Sequence, residues 1–266
     1  MNKKKILGIA LIIAIFVGLF ITVVYVFNEL KEENDIRIQN IDTTDAKKFK
    51  TEYEEYNNQE TEDGKKYRTL EISENNPIKY ITASDLISKM DNGESFIVYF
   101  GFNSCPWCRA VVDSLLTSAS SNGVNTIYYV DIKNIRDEYT LNDNHEAIRT
   151  TEGTEGYYQL LKKFDNVLPN YEPLEYTQTK KVKGKNKTET IKVNIDEKRI
   201  YGPSIVLVKN GKPIILTSGV SDKIENPYDE ITDEMKKYSV DEFNKLFKEI
   251  VTTTTSANIC TGESNC

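Results

Sequence analysis

Cys105-Pro106-Trp107-Cys108 sets two thiols one helical turn apart. Thiolates are both nucleophiles and metal ligands, so this spacing has three chemical uses: exchange with a disulfide, half of a zinc site, or a short structural disulfide. A zinc centre needs four ligands. The remaining candidates are Cys260, Cys266 and His145, and they make no second pair of this spacing. A disulfide across so short a loop restricts the unfolded chain little. Exchange through a redox-active Cys105–Cys108 disulfide is the use the spacing supports best. No metal and no cofactor is expected with it.

Such a pair works only if the chain around it presents one sulfur and hides the other. Ser95-Phe96-Ile97-Val98-Tyr99-Phe100 is a mostly apolar run of strand length, which predicts a buried central strand. Gly101 to Ser104 turns the chain, and Arg109 to Leu116 has helical apolar spacing. Cys105 then stands at a helix N-terminus, where unpaired N–H groups and the helix dipole favour its thiolate and lower its pKa. Pro106 suits the first turn, where no N–H is needed. Cys108 lies deeper and is placed to attack a mixed disulfide at Cys105. Arg109 either adds positive charge near the sulfurs or points to solvent.

Further elements follow from pattern. Ile78 to Ile81 and Asn125 to Ile132 are strand candidates, and Thr82 or Ser84 can cap a helix over 85–90. Residues 133–199 read as an insertion: a helix from Thr154 to Phe164, then strands Leu174 to Val182 and Thr188 to Ile195 around a basic hairpin tip. That tip is read as solvated, and His145 as a surface histidine. Ser204 to Val208 and Pro213 to Leu216 flank Lys209-Asn210-Gly211-Lys212, a strong hairpin signal. An amphipathic helix is predicted over 240–251. The tail 252–266 carries Cys260 and Cys266, expected to pair as a structural disulfide in an oxidising compartment.

The first residues differ from the rest. Lys3, Lys4 and Lys5 precede an uncharged apolar run over 6–27, long enough for a helix of roughly 33 Å that spans a bilayer. It ends without the small residues of a cleavage site. Acidic residues follow it, so residues 1–5 are expected in the cytoplasm and the rest outside the cell. Residues 28–76 hold an acidic excess and few clustered apolar positions; they are read as a solvated stalk, with a helix possible over 46–56. The net charge of -7 argues against a nucleic-acid partner.

Two segments together resemble the thioredoxin-like superfamily. Phe96-Ile97-Val98-Tyr99-Phe100 with Cys105-Pro106-Trp107-Cys108 resembles its active-site strand, turn and helix. Tyr201-Gly202-Pro203-Ser204 through Lys212 resembles its distal half. The resemblance implies an α/β thioredoxin fold over 77–251, a central mixed sheet flanked by helices. It implies that Pro203, after Gly202, is a cis-proline lying against the sulfurs and aligning substrate backbone. The run Phe100-Gly101-Phe102-Asn103-Ser104-Cys105-Pro106-Trp107-Cys108-Arg109, with the anchored layout, is similar to membrane-anchored Gram-positive bacteriocin-transport accessory proteins. By this resemblance the chain exchanges disulfides in secreted or cell-surface proteins, with a membrane redox partner. The alternative is an accessory protein that uses the domain as a binding module. Three departures bear on mechanism. Tyr99 stands where thioredoxin carries a buried Asp, Tyr129 where it carries a Lys, and Ser104 and Trp107 alter the motif's front and interior.

Overall fold

Phe96–Gly101 (β2) is the middle of a five-stranded mixed sheet and is buried along its whole length. On one side it pairs in parallel with Ile127–Asp131 (β3), which pairs in parallel with Ile78–Tyr80 (β1). On the other it pairs antiparallel with Ser204–Lys209 (β8), which pairs antiparallel with Lys212–Thr217 (β9). The spatial order is β1-β3-β2-β8-β9. A strand covered on both faces needs apolar residues at successive positions, which is why β2 shows no polar alternation.

The computed structural model describes residues 43–182 and 185–259, together with residues 20 and 22–24. The chain divides into two units, Met1–Thr43 and Thr44–Cys266. Most of the expected membrane span over 6–27, and both Cys260 and Cys266, lie outside the described residues. No helix among the described residues is long and apolar enough to cross a membrane.

Alternation along β2 feeds two cores. Ile97 and Tyr99 face one, built with helices Thr44–Glu54 (α1), Pro106–Ser121 (α3) and Asp233–Ile259 (α5). Phe96, Val98 and Phe100 face the other, built with helices Ala83–Asp91 (α2) and Glu155–Phe164 (α4). Thr82 caps α2 and Thr154 caps α4, each accepting a hydrogen bond from a backbone N–H three residues on. α5 starts earlier and runs further than the predicted 240–251, and it takes in residues 252–259 of the expected tail.

The stalk reading of 28–76 is corrected over 44–76. Ala46, Phe49 and Tyr53 lie on one face of α1 and are buried, as are Leu70 and Ile72 beyond it. Phe49 packs between the rings of Tyr53 and Tyr129, with centroids 4.2 and 5.1 Å away. The apolar residues are sparse but recur at helical spacing, so one narrow stripe is enough to dock a highly charged segment.

The insertion holds a hairpin that the pattern did not predict, Glu138–Leu141 (β4) and Ala147–Thr151 (β5). Its turn contains His145, exposed and stacked 3.8 Å from the ring of Tyr176. Leu174–Val182 (β6) and Lys185–Val193 (β7) form a separate two-stranded sheet. Lys185 to Lys187, read as tip residues, belong to β7. Arg199 ties the insertion down: it donates to the Asp137 carbonyl, pairs with Glu138 and lies over the Tyr171 and Tyr201 rings.

Gly219, at φ +65°, shows how closely the last helix packs. A Cβ there would come within 2.1 Å of the Phe243 ring. Gly219→Ala is expected to cost about 1–3 kcal/mol, read from thermal unfolding.

Candidate active site

The register of β2 against β8 assembles the site. Phe100 pairs with Ser204, so the end of β2 lies beside the start of β8. From the first the chain turns into the cysteines; into the second it arrives through Gly202-Pro203. The Gly202–Pro203 peptide is cis. Residues almost a hundred positions apart are thereby in contact: the Cys105 thiol donates to the Gly202 carbonyl over 3.2 Å.

Cys105 is the N-cap of α3, with extended φ and ψ of -75° and 116°, and Pro106 opens the first turn. The backbone N–H of Cys108 donates to the Cys105 sulfur over 3.2 Å. The sulfur thus takes the place of a capping oxygen. Burial works against its thiolate. Hydrogen bonds from the Cys108 thiol and from the N–H groups of Cys108 and Trp107, with the charge of Arg136, together outweigh burial, and Cys105 ionises below the ordinary thiol range.

Cys108 is pushed the opposite way. It has no exposed surface, and burial is the chief reason its pKa stands well above that of a free thiol. The bond to Cys105 and the charge there add to the effect. Cys105 and Cys108 are both free thiols. Gly202 allows the approach from β8, since a Cβ there would sit 3.2 Å from the Cys108 sulfur.

Tyr99 shares one buried core cluster with the pair. Its hydroxyl is 2.8 Å from that of Tyr53, and both rings are fully buried. Tyr129 packs against them, with centroids 5.2 Å from Tyr99 and 6.4 Å from Tyr53. Burial raises all three phenols well above the usual tyrosine range.

Arg109 neither points to solvent nor reaches a carboxylate. It is 1% exposed, and its guanidinium donates to the carbonyls of Tyr53 (2.6 Å), Asn103 (3.3 Å) and Arg68, and to Oδ1 of Asn57 (2.9 Å). It clamps α1 and the segment after it onto α3. Tyr53, Asn57 and Arg68 were not singled out from the sequence. The spacing of Ala46, Phe49 and Tyr53 is the one signal there that could have found them.

Among the described residues, no group of three or more His, Cys, Asp or Glu could hold a metal ion. Compared with models of protein families, with curated proteins and with solved structures, the chain finds no match in any of the three.

Proposed function

We propose that this chain is a thioredoxin-like thiol–disulfide oxidoreductase, anchored by its N-terminal segment and acting outside the cell on secreted or surface proteins. The observation that carries the reading is the contrast between the two thiols. Cys105 caps a helix, accepts the Cys108 N–H and has its pKa lowered, while Cys108, one turn away, is fully buried and has its pKa raised. A nucleophile and a withheld resolving thiol are what stepwise exchange requires.

In the reducing direction, the Cys105 thiolate attacks a substrate disulfide. A Cys105–substrate S–S bond forms and one substrate sulfur leaves as thiolate. Cys108 then attacks the Cys105 sulfur, closing the Cys105–Cys108 disulfide and releasing the second substrate sulfur. Oxidation of a substrate dithiol is the same path reversed. Pro203, beside the Gly202 carbonyl that faces Cys105, is where substrate backbone would align.

Cys108→Ala tests this. The variant is expected to accumulate mixed disulfides through Cys105, seen as reductant-sensitive adducts on non-reducing gels. Cys105→Ala,Cys108→Ala should show none. Full cellular activity in the double variant would refute the catalytic reading. It would favour the accessory-module reading, for which the separate β6–β7 sheet is the supporting feature.

A further inference from the structure

The resolving thiol has a chemical difficulty. Cys108 must become a thiolate although it has no exposed surface. Cys108, Tyr99 and Tyr53 lie in one buried core cluster. A Cβ added at Gly101 would sit 2.7 Å from the Tyr99 hydroxyl, and one added at Gly202 would sit 3.2 Å from the Cys108 sulfur and 3.4 Å from the Gly101 Cα, so the hydroxyl and the sulfur flank the same short stretch of backbone. The groups that act on Cys108 most are the Cys105 thiol at the N-cap of α3, the Phe102 N–H just past β2 and the Tyr99 hydroxyl of β2, with Tyr53 of α1 behind Tyr99. None is a carboxylate, lysine or histidine. Arg136 acts on Cys105, and the Arg109 guanidinium is turned to the carbonyls of Tyr53, Asn103 and Arg68.

The tyrosines make a directed arrangement. Each hydroxyl has one proton to donate. If Tyr53 donates to Tyr99 across their 2.8 Å contact, the Tyr99 proton is free for the Cys108 sulfur. Among the described residues, the Tyr129 hydroxyl beside them is buried and meets no partner at hydrogen-bond geometry. Buried hydroxyls in an aromatic core are a cost unless they are used, since phenylalanine fills the same space.

Resting on the exchange reading above, we propose that the Tyr99 hydroxyl, braced by Tyr53, donates a hydrogen bond to the Cys108 sulfur as that sulfur becomes a thiolate in the resolving step. The step is balanced. The Cys105–Cys108 S–S bond forms as the Cys105–substrate S–S bond breaks, and the proton lost by Cys108 ends on the departing substrate thiolate. In that step Tyr99 is the group that touches the reacting sulfur. Tyr53 is a positioning residue, supplied by a segment outside the region that carries the thioredoxin resemblance.

The test uses the full-length chain in detergent, with thionitrobenzoate preloaded as a mixed disulfide on Cys105. Release of the coloured thiol reports resolution by Cys108. Tyr99→Phe is expected to slow release about ten- to hundredfold, and Tyr53→Phe to slow it less. In a Cys105→Ser background, both changes should move the Cys108 titration to higher pH, read by thiolate absorbance. A purely structural tyrosine would not move that titration. Tyr53→Phe keeps the test open if Tyr99→Phe fails to fold. Unchanged release and titration in the folded variants would overturn the proposal and leave exchange standing. A preloaded wild-type protein that never releases the thiol would overturn the exchange reading itself.

Discussion

Arg109→Leu lowers the stability of the folded protein by about 3–5 kcal/mol, read as a fall in the midpoint of urea unfolding. The side chain sits in the core with its donors spent on carbonyls from two parts of the chain, Tyr53 and Arg68 on one side and Asn103 on the other. Leucine keeps apolar volume but leaves those oxygens unpaired and buried, each at a cost of about 1–3 kcal/mol before water enters. Arg109→Lys keeps the charge yet cannot span carbonyls on separate segments, and should fall between the two. Because the clamp holds α1, the leucine variant should also loosen Tyr53. Hydrogen exchange over 44–72 should rise in parallel with the loss of stability. A leucine variant as stable as wild type would mean that the guanidinium contributes no more than its packing.

At neutral pH, an alkylating agent should modify Cys105 about a hundredfold faster than Cys108 in the reduced protein, as judged by mass spectrometry of the first adduct. Alkylation needs a thiolate, and the two sulfurs are displaced in opposite directions. The same displacement fixes how stability varies with pH. For Cys105 the folded pKa lies below the unfolded one. Its contribution is full above the ordinary thiol pKa and is lost as pH falls through the lowered value. For Cys108 the folded pKa is raised. Its neutral form is tolerated below the ordinary thiol pKa, and stability is lost above it, where the unfolded chain ionises and the buried thiol does not. Urea midpoints of the reduced protein should therefore decline on both sides. Cys105→Ala should remove the acid-side decline attributable to that thiol and keep the alkaline one. Equal alkylation of both thiols would contradict the assignment of roles.

Local order explains why the motif could be read so readily. A proline after the first cysteine, an apolar strand before it and helical spacing after it are short-range features. They act within a few residues, and the N-cap geometry of Cys105 realises them. The hairpin at Asn210-Gly211 is of the same kind, since positive φ at both residues is a local demand. The segment 44–76 was misread for the converse reason. Its many charged and polar residues dominate its composition, while its docking depends on a few apolar side chains and on acceptors for one buried arginine. Net charge reports what faces water; it says little about a stripe three residues wide.

The sequence by itself determined the Cys105–Cys108 pair, the strand and helix that flank it, and the Gly202-Pro203 step before a second buried strand. Those features rest on propensity, periodicity and the covalent limits of proline and glycine. Only the tertiary structure decided what lies against the sulfurs. The β2–β8 register carries the Gly202 carbonyl to Cys105. The docking of α1 sets the Tyr53 hydroxyl on that of Tyr99. Closure of the core turns Arg109 inward to carbonyls that no local pattern marks. Contacts between distant segments come from many small burial terms acting together, and no short stretch of residues encodes them.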